Sequence, residues 1–137
     1  MGFFDFFRKK DINEGLRAYR AEARAILIDV REQKEYAEGH LPQSRNIPLG
    51  RIDLVESMIP DKGVPLFLYC EKGSRAEKAA KKLADLGYQK VTAIGGVETY
   101  GGKLEKGIKT KSLQSQVSAS QMRKNMPWLN QKKIPRI

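Results

Sequence analysis

The 137-residue chain contains one cysteine, one histidine and one tryptophan, and these scarcities exclude whole classes of chemistry. A lone cysteine closes no internal disulfide and supplies no multi-thiolate zinc site, and a lone histidine builds no imidazole metal cage. No metal and no cofactor is expected, and a secreted disulfide scaffold is ruled out. No apolar run approaches the ~20 residues that span a bilayer, so no membrane span is expected. The 40% of hydrophobic residues suffices for a soluble globular core. The length allows one compact domain plus an extension, and no internal repeat recurs.

The net charge of +10 is unevenly placed. Residues 1–102 carry 17 basic and 15 acidic side chains, whereas 103–137 carry nine basic residues and a single acid, Glu105. The last stretch is also rich in Ser and Gln, which predicts a basic, polar, flexible tail over 107–137 after a folded domain over 11–106. Such a tail could hold nucleic acid non-specifically through counterion release, but nothing in it reads bases. Met126-Pro127-Trp128-Leu129 is the one apolar cluster there and offers an anchor. Residues 1–10 form a Phe-rich lead, with Phe3, Phe4, Phe6 and Phe7 preceding Arg8, Lys9 and Lys10. That order is the reverse of a secretory signal. The rings are expected to cap the core or a partner contact, with a membrane-surface foot as the alternative. Without a signal, a cytoplasmic, reducing location is expected.

Leu16, Tyr19 and Ala23 recur at helical spacing, predicting a surface helix from Ile12 to Arg24. Ile26 to Val30 is a nearly continuous apolar run that reads as a strand buried on both faces, with Asp29 an anomaly inside it. Glu32 to Glu38 suggests a short helix ended by Gly39, Ile47-Pro48-Leu49 a brief strand, and Arg51 to Met58 another short helix. Val64 to Tyr69 is a second strong strand. After it, Ser74 and Glu77 have capping-box spacing, Ala76, Ala79, Ala80, Leu83 and Leu86 keep a helical period, and Gly87 stands where a C-cap belongs. Lys90 to Ile94 is a third strand ending at Gly95-Gly96. Alternating strands and helices predict an α/β domain with a mainly parallel sheet, in which ligands gather at the carboxyl ends of the strands.

Cys70 ends a predicted buried strand, and the next helix begins within a few residues. The loop between must curl, bringing successive amides and the positive end of a helix dipole close to the sulfur. Gly73 permits the turn, and Lys72 and Arg75 add positive charge. Such a setting favours a thiolate nucleophile.

The segments Leu27-Ile28-Asp29-Val30-Arg31-Glu32, Glu35-Tyr36, Gly39-His40-Leu41-Pro42-Gln43-Ser44-Arg45-Asn46-Ile47-Pro48, Leu68-Tyr69-Cys70-Glu71-Lys72-Gly73-Ser74-Arg75-Ala76, Leu86-Gly87-Tyr88 and Gly95-Gly96-Val97 together resemble the rhodanese-like sulfurtransferases in their single-domain form. The resemblance runs from about Ile12 to Lys106 and leaves the tail outside. It implies a five-stranded, mainly parallel sheet flanked by helices. It also implies a cysteine that accepts a sulfane sulfur as a persulfide and passes it to a thiophilic acceptor. The family's catalytic cysteine falls on Cys70 and its substrate-binding loop on Glu71, Lys72, Gly73, Ser74 and Arg75. Asp29, Arg31 and His40 are carried over as supporting residues. Either Asp29 accepts loop amides or pairs with a cation while Arg31 faces the substrate mouth, or the two form a structural ion pair that holds the loop; His40 is expected to fix the loop by hydrogen bonds. Glu71 departs from the basic loops of the family and weakens the case for thiosulfate, leaving polysulfide and persulfide donors open. The expected partners are a small sulfur donor and a thiol or cyanide acceptor, with a protein acceptor as a further one.

Two other readings compete. Phosphatase or arsenate reductase loops place five residues between Cys and Arg, whereas four intervene here, Glu71 to Ser74, a ring better suited to one sulfur atom. A binding or redox-sensing module that carries sulfur without turnover is distinguished by its failure to pass sulfur to cyanide.

Overall fold

The structure, a computed structural model, describes residues 10–108. The Phe-rich lead up to residue 9, the membrane foot and the Met126–Leu129 anchor all lie outside the described residues, as does the tail from 109 onward. Lys10, grouped by sequence with the lead, is tied to the folded body: its Nζ donates to the Ala93 carbonyl and meets the Glu77 carboxylate, each at 2.9 Å.

Helix α1 spans Ile12–Ala21 and is capped by Asp11, whose side chain accepts the Asn13 N–H. It buries Ile12 and Leu16 and stops short of the expected Arg24, whose guanidinium instead pairs with Asp61 at 2.6 Å. Strands β1 (Ile26–Asp29), β2 (Arg45–Asn46), β3 (Leu66–Cys70) and β4 (Val91–Gly96) form one sheet in the order β2-β1-β3-β4, and every neighbouring pair is parallel. Helix α2 is Gln33–Glu38, α3 is Val55–Met58 after a 3-10 segment at Leu49–Leu54, and α4 is Ser74–Asp85. Alternation divides the core. Ile28, Val30, Leu66, Leu68 and Cys70 pack with Ala76, Ala79 and Leu83 of α4 and with Ile52 and Val55 on one face. Leu27, Phe67, Tyr69 and Ile94 meet Ile12 and Leu16 of α1 on the other.

Three expectations need correction. The sheet has four strands among the described residues, not five. His40 and Glu105 exchange a pair of backbone hydrogen bonds, 2.8 and 2.9 Å, but this antiparallel bridge does not extend. The next amide, Leu41, is spent on the Tyr69 hydroxyl at 2.9 Å, and Pro42 has no N–H to offer. Second, the brief strand lies at Arg45–Asn46 rather than Ile47–Leu49, because Pro48 leads straight into the 3-10 segment. Third, Ser74 and Glu77 form no capping box. The helix is capped by Gly73, at φ 122°, one residue before Ser74, and the Glu77 amide that a capping box would engage goes to the Gly73 carbonyl at 3.1 Å. The other end of α4 is as expected, with Gly87 at φ 104° and the Gly87 and Tyr88 amides returning to Ala84 and Leu83. No helix among the described residues is long and apolar enough to cross a membrane.

Candidate functional site

Cys70 is the last residue of β3, at the carboxyl edge of the sheet, and is 1% exposed. Its Sγ accepts the N–H of Gly73 at 3.0 Å and of Ala76 at 3.3 Å, so the sulfur sits over the first turn of α4. Ser74 and Arg75 occupy the first two positions of that helix, where geometry provides no intrahelical acceptor for an amide. The sulfur therefore lies at a concentration of backbone donors reinforced by the helix dipole. Ala76, which the sequence reading treated only as part of the helical period, is one of the two amides that reach it.

The loop is held from below by the glycine pair. A bulge where β4 pairs with Leu68 and Tyr69 brings Gly95 opposite Tyr69 and Gly96 opposite Cys70. A Cβ on Gly96 would lie 2.2 Å from the Glu71 carbonyl oxygen and 2.5 Å from the Lys72 Cα, so only a glycine lets the loop backbone approach this closely. The sequence marked Gly95-Gly96 as a strand end; what rests on it was not legible there.

Asp29 and Arg31 share the end of the sheet with Cys70 but not its face. By alternation Asp29 falls with Leu27 on the α1 side, while Cys70 faces α4. Asp29 is fully buried and accepts no amide from the loop. It takes the Arg31 backbone N–H at 2.8 Å, Nε at 3.1 Å to both oxygens and Nη2 at 2.7 Å. The Arg31 side chain is only 5% exposed, donates to the Gly39 carbonyl at 2.6 Å, and reaches Glu71 of the loop at 3.3 Å. Burial opposes its charge, yet the Asp29 hydrogen bond and the nearby carboxylates hold its pKa above the ordinary guanidinium value. Asn46 braces the same turn by donating to the carbonyls of Asp29 and Arg31.

Arg75 is likewise engaged. Its two terminal nitrogens bind both oxygens of Glu35, at 2.8 and 3.1 Å, and Glu35 Oε1 also accepts the Glu32 amide at 2.9 Å. The Arg75 hydrogen bond holds the Glu35 carboxyl below its ordinary range, and Glu35 raises Arg75 in return. Glu35 had no sequence signal linking it to a residue forty positions away. Lys72 is exposed on the loop.

His40 is buried, stacked on Tyr36 at 3.8 Å between ring centroids, with Nδ1 2.8 Å from the Tyr36 carbonyl and Nε2 3.9 Å from Glu105. The Tyr36 hydroxyl donates to the Ser44 carbonyl at 2.7 Å, and Tyr69 joins Leu41 and Ser44, so residues 36–46 are stitched to β3 just before the cysteine. Burial pushes Tyr36 up to about 12 and moves Tyr69 in the same direction.

Comparison with known proteins finds relatives of the folded domain. The profile of the rhodanese-like domain family covers residues 13–102. The uncharacterized protein YqhL of Bacillus subtilis is 38% identical over 84 residues, 60% of this chain and 65% of that one. The thiosulfate sulfurtransferase PspE of Escherichia coli is 32% identical over 72 residues, 52% of this chain and 69% of that one. A solved structure described as a rhodanese with anions from E. coli superposes with a TM-score of 0.57 at 30% identity, covering 61% of this chain and 99% of that one. The chain spans less than two thirds of YqhL, and about a quarter and a half of two other curated relatives. With two thirds of its length inside the family profile, the chain belongs to the rhodanese-like domain family, among whose members are proteins named sulfurtransferases.

Proposed function

We propose that the protein is a sulfurtransferase that moves a sulfane sulfur from thiosulfate, polysulfide or a persulfide to a thiophilic acceptor through a persulfide on Cys70. The observation that carries this reading is the sulfur of Cys70 held by the Gly73 and Ala76 amides at the start of α4. Donors placed there stabilise the Cys70 thiolate without a metal, and in the persulfide the negative charge moves to the outer sulfur, one S–S bond further out and still beside the loop amides. The Cys70 thiolate attacks the outer sulfur of the donor, the donor's S–S bond breaks, and sulfite or a thiolate leaves with the electron pair. An acceptor such as cyanide then attacks the outer sulfur of Cys70 persulfide, releasing thiocyanate and the thiolate. The chain has no second cysteine to intercept the persulfide as a disulfide, which suits transfer to an external thiol, to cyanide or to a protein acceptor.

In this reading the amides of Glu71 through Arg75 bind the transferring sulfur. The Asp29–Arg31 pair positions the loop through Glu71, and His40 acts from a distance by ordering Tyr36. The transferring unit is 11–106; 107–137 lies outside it, and a reducing, cytoplasmic setting suits the chemistry. The test is thiocyanate production from thiosulfate or polysulfide plus cyanide by the full chain. Turnover that disappears in Cys70→Ser is expected. No thiocyanate from either donor would overturn the reading in favour of a non-turnover module.

A further inference from the structure

The positive charge that the sequence places around Cys70 is cancelled in the fold. Three cations, Arg31, Lys72 and Arg75, bracket the loop, and three carboxylates, Asp29, Glu35 and Glu71, are drawn to the same place. Arg31 is engaged by Asp29, Gly39 and Glu71. Arg75 stands two residues beyond the Gly73 amide that binds the sulfur, and its charge is near enough for a Cys70 thiolate to favour it. Its charge thus bears on the path of an incoming anionic donor, and Glu35 holds both of its terminal nitrogens. Glu35 is itself fixed: its Oε1 accepts the Glu32 amide at the start of α2, so the carboxylate cannot swing away without undoing that turn. The Glu35–Arg75 pair is about one third exposed on each side, close enough to solvent to lie beside an entering molecule and not deep enough to serve only the core.

We propose that Glu35 is a donor-selectivity residue, which by clamping Arg75 neutralises the rim of the Cys70 site and turns it away from dianionic donors such as thiosulfate toward persulfides. The proposal rests on the sulfurtransferase reading for its biological meaning, but its electrostatic content concerns the approach of any anion to Cys70. Thiosulfate brings two negative charges to the thiolate and leaves as sulfite, also a dianion. A small alkyl persulfide brings one charge, carried by the sulfur that the loop amides already serve. A rim without net positive charge raises the cost of the first far more than of the second.

The test uses the full chain and Glu35→Gln, which keeps the side-chain shape and a hydrogen-bond acceptor while removing the charge. The first readout is alkylation of Cys70 by iodoacetate, an anion, against iodoacetamide, its neutral analogue. The iodoacetate-to-iodoacetamide rate ratio should rise roughly threefold to tenfold in the variant, the size expected for one charge acting across a partly solvated rim. The second readout is the ratio of kcat/KM for thiosulfate to that for β-mercaptoethanol persulfide, which should rise in the same direction and further, because thiosulfate is a dianion. Should Glu35→Gln fail to fold, the unaltered protein still decides: its iodoacetate-to-iodoacetamide ratio should change less than about twofold between low and high salt. An alkylation ratio unmoved by Glu35→Gln, or a several-fold fall of that ratio with salt in the unaltered protein, overturns the proposal. Failure of the sulfurtransferase reading looks different: neither donor adds sulfur, while the alkylation ratios still report the charge of the rim.

Discussion

Replacing Asp29 with Asn should be the most damaging single change of charge in the domain. Asp29 is fully buried, the Arg31 side chain is 5% exposed, and four donor contacts converge on the two carboxylate oxygens. Asn keeps one acceptor oxygen, which can still take the Arg31 amide, but leaves a buried guanidinium with the Gly39 carbonyl and a more distant Glu71 as its remaining acceptors. Removing one partner of a buried ion pair costs about 3–5 kcal/mol, and the retained acceptor puts Asp29→Asn near the lower bound. In a domain of this size that is a fall in Tm of roughly 12–24 °C. Glu71 is the control. Its carboxylate meets the same guanidinium at 3.3 Å but is 44% exposed, so Glu71→Gln should cost less than about 1 kcal/mol. Urea and thermal unfolding followed by far-UV circular dichroism separate the two. Equal losses, or a loss under about 1 kcal/mol for Asp29→Asn, would refute the claim that this buried pair anchors the end of β1.

Gly96→Ala must push the Glu71–Lys72 backbone away from β4. We expect a stability loss of about 1–3 kcal/mol and a fall in Cys70 persulfide formation on the order of a hundredfold, measured by rapid-quench mass analysis; an unchanged rate would show that the loop does not rest on this glycine. At alkaline pH, Tyr36 stabilises the fold fully below its ordinary value of 10 and loses that contribution as pH rises through about 12. The unfolding midpoint should therefore drop over this window, and drop less in Tyr36→Phe, which keeps the stack on His40. At acid pH the sign reverses. Glu35 titrates below its ordinary 4.5, so the Arg75 pair stabilises above that value and is lost as pH falls through the lower folded one. Glu35→Gln should show a shallower acid loss in urea titrations, and an identical slope would mean that the exposed pair adds nothing to stability.

The longer strands and the last helix were legible because their signals are local and strong. Ile26 to Asp29, Leu66 to Cys70 and the alanine-leucine period of α4 need no distant partner to be recognised, and Gly87 closes that helix as its position suggests. Asp29 was visible as an anomaly inside an apolar run, and its partner stands two residues on. What escaped was set by competition or by distance. Ser74 and Glu77 have capping-box spacing, but the helix is capped one residue earlier by Gly73, whose carbonyl takes the Glu77 amide. His40 to Pro42 could extend a fifth strand, but Tyr69 takes the Leu41 amide. The charges of the loop were legible but the partner of Arg75 was not, because the carboxylate that pairs with it lies on α2, forty residues earlier, and becomes its neighbour only when β1 and β3 pair.

The central claim is that Cys70 carries the sulfur, and the most direct measurement of it is the intact mass of the full chain after incubation with thiosulfate, with a polysulfide and with β-mercaptoethanol persulfide, each followed by cyanide. The account predicts a gain of one sulfur atom, located on the peptide containing Cys70, absent in Cys70→Ser and removed by cyanide as thiocyanate. An unchanged mass with all three donors, or a gain that persists in Cys70→Ser, would contradict it.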